Sequence, residues 1–206
     1  AGFGAPLAGI IFAHEAILRH FSMRALAPIA IASFTASAVT EKIFKKSSIL
    51  ETNSQIPELA NILPATLICS PVFACAAILF MISIRFFTKY AGKSQISPTL
   101  LIYGGAIICG ITGMFFPQIL GLGTQSIVDM LSGNFTLTFV LTILILKILM
   151  TSLCLGTGLY GGVFSPALFI GTATGSILGK IFTAFGFFGA GSVLPFCGMA
   201  AVGGAI

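Results

Sequence analysis

Long apolar stretches alternate with a few clusters of charged residues along this chain. No Asp, Glu, Lys or Arg occurs at positions 94–128, 130–146 or 148–179. Each of these windows could hold a helix that crosses a hydrocarbon core about 30 Å thick, which takes about 20 apolar residues. The pattern therefore predicts an all-α integral membrane protein that crosses the bilayer several times.

Proline, glycine and polar clusters divide the apolar stretches into helices. Two predicted helices, at about 5–18 and 125–131, are too short to cross a bilayer simply, and short apolar segments of this kind indicate a transporter-type binding site. The other predicted helices lie at about 25–44, 57–90, 97–116, 135–155 and 165–185, and a last segment begins near Val193.

Composition supports the membrane interpretation, since 57% of the residues are hydrophobic and only 7% are charged. Soluble domains carry about 25% charged residues, and a soluble helical core would need a polar outer face that this sequence lacks. The net charge is +5, and the basic residues are too sparse to favour nucleic-acid binding.

Two basic clusters fix the predicted orientation. One contains Arg19, His20 and Arg24, and the other contains Arg85, Lys89 and Lys93. Two predicted crossings separate the clusters, so both lie on one side of the membrane. The positive-inside rule assigns that side to the cytoplasm.

The sequence predicts no metal site and no cofactor. The five cysteines lie in apolar surroundings without a C-x-x-C pair, which favours small buried residues over a disulfide framework: Cys69, Cys75, Cys109, Cys154 and Cys197. His14-Glu15 lacks the second histidine of a zinc helix, because position 18 is Leu. No nucleophile–base pair is evident, so the sequence does not favour an enzyme.

Both ends of the sequence lie inside Gly- and Ala-rich apolar segments, and the first residue is Ala1, with no initiator methionine. We therefore expect an internal fragment of a longer membrane protein, with some functional residues outside it.

Residues 158–166 form a glycine-rich break between two apolar segments, and a Pro-initiated helix follows. Broken backbone at membrane depth is tolerated only where protein buries it or where it lines a wet cavity. The start of a helix presents unpaired N–H groups and a positive dipole end, which suits an anion. The alternative is a plain turn between packed helices. Gly171, Gly175 and Gly179, spaced by four in the helix that follows, favour close helix packing.

Several motifs, in the same order along the chain, resemble the CLC family of chloride channels and chloride/proton antiporters. The stretch 161–166, Gly-Gly-Val-Phe-Ser-Pro, resembles the G-x-F-x-P signature. The stretch 4–12, followed by Glu15, is similar to the N-A-P-L-A-G-x-x-F-x-x-E helix. Phe116-Pro117 with Gly121-Leu122-Gly123 resembles the F-P…G-x-G turn, and Lys147 lies where the family often has a basic residue.

The resemblance implies part of the CLC inverted-repeat fold, with tilted, broken and re-entrant helices. Residues 1–206 would form a single transmembrane domain. The end of the first repeat would lie at about 1–44 and most of the second at about 57–206.

The resemblance also implies transmembrane chloride transport, as a channel or as a chloride/proton antiporter. Main-chain N–H groups of Val163 and Phe164 would hold the anion, and Phe164 would form a wall of the site. Gly161 and Gly162 would let the backbone approach closely. Pro166 would lie in the first helical turn, where its missing donor is harmless. Chloride would be the transported substrate, without a cofactor.

A proton path or cytoplasmic vestibule would involve Glu15, Ala16 and Lys147. Many antiporters of the family carry a glutamate at the position of Ala16, and alanine relays no proton. This favours a channel, or a transporter with another proton route, and Glu15 or His14 could substitute for the missing glutamate. Glu15 could instead pair with Arg19 at i+4. Lys147 could face a water-filled vestibule or serve packing and snorkelling, and the sequence favours neither.

The partners implied by the resemblance are chloride, the lipid bilayer and a second copy of the chain. Leu7 and Ile11 would lie at the homodimer interface, and we expect a multi-pass protein of the cell (inner) membrane. The alternative function is a non-conducting structural or interaction subunit of a membrane complex.

Overall fold

The computed structural model describes residues 6–20, 22–44 and 59–184, and the regular structure within these ranges is helical. The elements are α1 (Pro6–Phe12), a π-helical segment (Ala13–Leu18), α2 (Met23–Phe44), α3 (Leu59–Lys93), α4 (Pro98–Phe115), a 3-10 turn (Pro117–Ile119), α5 (Thr124–Leu131), α6 (Leu137–Gly156) and α7 (Phe164–Ala184). Among the described helices, α2, α3, α4, α6 and α7 are long and apolar enough to cross a membrane. The prediction of an all-α membrane protein is confirmed, while the predicted segment near Val193 lies outside the described residues.

The chain divides into two compact units, residues 1–53 and 54–206. In the first unit α1 packs against α2. The Ser33 hydroxyl donates a 2.8 Å hydrogen bond to the Pro6 carbonyl. This bond gives an acceptor at the start of α1 a partner on the facing helix.

In the second unit α3, α6 and α7 pack on one another, and α5 packs on α7. Gly156 permits the close approach of α6 to α3, because a Cβ atom there would lie 2.5 Å from the Phe87 Cβ and 2.8 Å from the Phe87 carbonyl carbon. The main core is centred on Met130, Ile143 and Phe169, which are fully buried. These side chains come from α5, α6 and α7, so the core holds together α6 and α7, the two helices that the predicted anion loop connects, and α5.

A turn connects α4 to α5, and two glycines in it have left-handed backbone conformations. Gly121 has φ of 58° and Gly123 has φ of 67°. A Cβ atom on Gly123 would also lie 2.7 Å from the Phe169 ring. The turn therefore needs glycine at position 123 for both conformation and space.

Helix α6 ends where the sequence predicts the break. The Gly158 amide bonds the Leu155 carbonyl at 3.2 Å, and the Leu159 amide bonds the Cys154 carbonyl at 2.9 Å. Gly158 has φ of 93°, a conformation that glycine adopts at little cost. Five irregular residues follow before α7 begins at Phe164.

Candidate anion site

The start of α7 provides the helix N-terminus that the sequence predicts. The Ala167 amide bonds the Val163 carbonyl at 3.0 Å, so Val163 is the residue that caps the helix. The first N–H groups of an α-helix have no acceptor within the helix, and Pro166 contributes no N–H at all. Val163, Phe164 and Ser165 each carry a main-chain N–H at this helix start, where such groups point along the helix axis towards its N-terminal side.

A cavity of about 390 Å³ borders this helix start. Three of the five predicted anion-binding residues line it: Gly161, Gly162 and Pro166. Val163 and Phe164, the predicted donors, are not among the lining residues, and their side chains are 47% and 39% exposed. The cavity therefore touches the backbone on both sides of the two predicted donors.

Neither predicted glycine is required by packing within the described residues. A Cβ atom on Gly162 would meet nothing within 4 Å, and one on Gly161 would meet only the Leu155 side chain, at 3.8 Å. Neither glycine has a positive φ. Their missing side chains leave the cavity open, which is what close approach of a ligand to the backbone requires.

Lys147 lines the same cavity, although only 3% of the residue is exposed. Its ammonium donates hydrogen bonds to the carbonyls of Ile119, at 2.7 Å, and Gly121, at 3.0 Å. The Nζ atom also lies 5.1 Å from the centre of the Phe169 ring, within the range of a cation–π contact. The ammonium is thus a buried positive charge at one wall, fixed by two main-chain oxygens.

A second side chain fixes the same turn from α7. The Ser165 hydroxyl donates a 2.8 Å hydrogen bond to the Leu122 carbonyl. The carbonyls of Ile119, Gly121 and Leu122 thus all accept hydrogen bonds from side chains. Their negative ends are partly neutralised, which lowers the electrostatic repulsion that an anion in the cavity would meet.

The other predicted site residues lie in the first unit. Glu15 is exposed, Leu7 and Ile11 are 66% and 64% exposed, and the side chain of Ala16 lies outside the described part of the structure. His14 is buried, with Nδ1 2.9 Å from the Ile10 carbonyl oxygen and Nε2 3.2 Å from that of Ser22.

The alternative pair between Glu15 and Arg19 requires that one helix continue through both residues. Residues 13–18 are π-helical, and Arg19 has φ of 55°. The helix thus ends at Leu18, and Arg19 lies beyond it, where helical spacing no longer sets its position relative to Glu15.

Ser165 and two cysteines are cavity residues that the sequence analysis did not assign to the site. Ser165 lies inside the motif at 161–166, but a serine in a signature does not reveal that it bonds a distant carbonyl.

Cys109 and Cys154 line the cavity from α4 and α6. They are half-buried, Cys69 is buried and Cys75 is exposed. The prediction of burial is therefore wrong for Cys75, which lies on an outward face of α3. The described residues contain no group of three or more metal-ligating side chains.

Comparison with known proteins relates the whole chain to one family. Residues 1–206 match the family described as voltage gated chloride channel. The chain is 32% identical over 189 residues to the H(+)/Cl(-) exchange transporter ClcA of Citrobacter koseri, a match that covers 87% of the chain and 39% of that protein. The transporters of the same name from Salmonella paratyphi B and Salmonella newport give the same identity and coverage. The chain thus spans 39% of the length of these relatives.

Proposed function

The chain belongs to the voltage gated chloride channel family, and we propose that it transports chloride across a membrane, as a channel or as a chloride/proton antiporter. The observation that carries the proposal is the start of α7 beside a cavity of about 390 Å³ that a buried lysine also lines. Relatives that are 32% identical are named H(+)/Cl(-) exchange transporters, which supports chloride as the anion.

The proposed binding mode uses main-chain N–H groups of Val163 and Phe164, with Gly161 and Gly162 keeping the approach open. Partial charges at a helix start attract an anion without trapping it. Conduction needs binding that is favourable enough for entry and weak enough for release. Lys147 adds a full positive charge at a wall of the cavity. Its attraction for an anion is moderated because the ammonium already donates hydrogen bonds to two carbonyls.

Chloride flux through the full-length gene product in liposomes tests this function. The informative variant is Gly162→Leu, because the added side chain enters space that is open in the structure. We expect loss of most chloride efflux with an unchanged unfolding temperature. The matched control is Gly110→Leu, in an exposed position on α4 where a Cβ also meets nothing within 4 Å. Absence of chloride flux in the unmodified protein, in both channel and exchange modes, would refute the proposal.

For coupling, we propose a channel, or a transporter whose proton route does not pass through position 16. Alanine has no group that accepts a proton, and Glu15 and His14 are the nearest titratable residues in the chain. Proton movement should be recorded together with chloride. A fixed proton-to-chloride ratio that survives both Glu15→Gln and His14→Gln would exclude these two residues as the alternative route.

We also propose a homodimer in the cell (inner) membrane. Leu7 and Ile11 on α1 are large apolar residues with about two thirds of their surface exposed, and a second copy could cover them. Replacing both with Gln should shift the full-length protein from dimer to monomer in mild detergent. A monomeric unmodified protein under the same conditions would count against the interface.

A further inference from the structure

Three basic side chains form a stripe on the last part of α3. Arg85, Lys89 and Lys93 follow one another at intervals of four residues, and all three are exposed. At 3.6 residues per turn they occupy one arc of about 80° on the helix. Helix α3, from Leu59 to Lys93, contains no Asp or Glu, so the helix carries no acidic side chain that could neutralise the stripe.

The basic stripe faces away from the helices on which α3 packs. Phe87 contacts α6 at Gly156, and Phe73 and Phe80 face α7 across a small gap next to Gly171. Phe87 lies about 160° around the helix from the middle of the stripe, since each residue adds about 100°. The stripe is therefore on the outer side of the second unit.

The length of α3 places the stripe near a membrane surface. The helix has 35 residues, which is roughly 52 Å at a rise of 1.5 Å per residue. The hydrocarbon core is only about 30 Å thick. The stretch Cys69–Lys93 of α3 is apolar and long enough to cross a membrane, and the only charges in it are those of the stripe at its C-terminal end. Long basic side chains extend towards the headgroups from such positions.

Two aromatic rings lie next to the stripe and are also exposed. Phe86 and Tyr90 are 63% and 70% exposed. Their rings stack at 18° with their centroids 6.4 Å apart. Aromatic side chains are enriched where hydrocarbon meets headgroups. The surface therefore combines an apolar stack with a parallel row of positive charges.

We propose that this surface binds an anionic phospholipid, with the headgroup phosphate on the basic stripe and an acyl chain against Phe86 and Tyr90. Arginine binds phosphate through two parallel hydrogen bonds, and lysines add point charges. Each basic residue near an anionic membrane surface contributes a factor of about five in affinity. The three residues together should favour anionic over zwitterionic lipid by about a hundredfold.

The test measures lipid retained by the purified full-length gene product. The protein is exchanged into micelles that contain equal amounts of phosphatidylglycerol and phosphatidylcholine, repurified, and its bound lipid is extracted and quantified. We expect the unmodified protein to retain phosphatidylglycerol selectively. The variant with Arg85, Lys89 and Lys93 all changed to Gln should lose that selectivity. The readout does not depend on chloride flux, so it stands or fails separately from the proposed function.

The matched control removes the same charge elsewhere. Arg19, Arg24 and Lys42 are exposed but do not form a stripe at intervals of four, and changing them to Gln should preserve selectivity. Equal loss in the control and the stripe variant would overturn the proposal, as would undiminished selectivity in the stripe variant. A second measurement guards against misfolding of that variant. Raising the salt concentration to about 0.5 M should release phosphatidylglycerol from the unmodified protein, because salt screens exposed charges, and salt-insensitive retention would contradict the proposed contact.

Discussion

Replacing Lys147 with Met removes a positive charge from the wall of the cavity while keeping a side chain of similar length. We expect two separable effects, one on folding and one on anion binding. Both follow from the same geometry, in which the ammonium bonds the Ile119 and Gly121 carbonyls and contacts the Phe169 ring.

The effect on folding depends on which carbonyl can find another donor. The bond to Ile119 is buried, whereas the bond to Gly121 is only partly buried, beside the cavity. Water can replace the ammonium at Gly121 but not at Ile119, and one buried unsatisfied carbonyl costs about 1–3 kcal/mol. Removing a buried charge returns part of this cost. The expected result is a loss of about 1–2 kcal/mol in the free energy of unfolding.

The effect on binding follows from the size of the cavity. A cavity of about 390 Å³ is roughly 9 Å across, and opposite unit charges at that distance attract by about 2 kcal/mol at an effective dielectric constant near 20. Loss of this attraction weakens chloride binding about thirtyfold. Titration calorimetry of the full-length gene product in chloride-free buffer measures it, with Lys147→Arg as the control that keeps the charge.

Because the two effects are measured separately, one combination of results would refute the electrostatic argument. If Lys147→Met lowers the unfolding free energy but changes the chloride dissociation constant by less than about threefold, the lysine only fastens the turn. The electrostatic argument would then be refuted. Of the two roles that the sequence leaves open for Lys147, packing would be favoured over facing a water-filled vestibule.

Three substitutions test the packing around the site. Gly156→Ala should destabilise the protein by about 2–4 kcal/mol, because the new methyl group meets the backbone of α3; the matched Gly110→Ala, in open space, should be neutral or slightly stabilising in chemical unfolding. Ser165→Ala should cost about 1 kcal/mol through its lost bond to Leu122, and an unchanged unfolding midpoint would show that this bond contributes nothing. Gly123→Ala should lower expression or the melting temperature strongly, since φ is 67° and the Phe169 ring is close; a normal melting curve would contradict the strain.

Helix positions could be predicted well because proline and glycine, whose backbone preferences differ from those of other residues, mark the ends. Pro98 begins α4 and glycines at 123 and 133 bound α5, within one or two residues of the predicted limits. These signals are local, so a single sequence contains them. The prediction of these helices therefore depends on the positions of proline and glycine as much as on hydropathy.

The partners of Lys147 could not be predicted for a physical reason. They are main-chain carbonyls 28 and 26 residues away, and every residue carries such an oxygen. The spacing of Glu15 and Arg19 is uninformative for a related reason, because the helix that contains Glu15 ends at Leu18, before Arg19. Sequence spacing specifies contacts only where one helix continues through both residues.

The turn between α4 and α5 has a consequence for protein engineering. Lys147 and Ser165 attach it to α6 and α7 through hydrogen bonds of 2.7–3.0 Å, and Phe169 fills the space that Gly123 leaves. The six residues at 161–166 therefore lack most of the side chains and the turn that hold the cavity in shape. Transplanting only that loop into another scaffold should give a helix start without a defined cavity. The smallest segment that contains all the cavity-lining residues together with Phe169 runs from Cys109 through Phe169, and a graft should be made at that length.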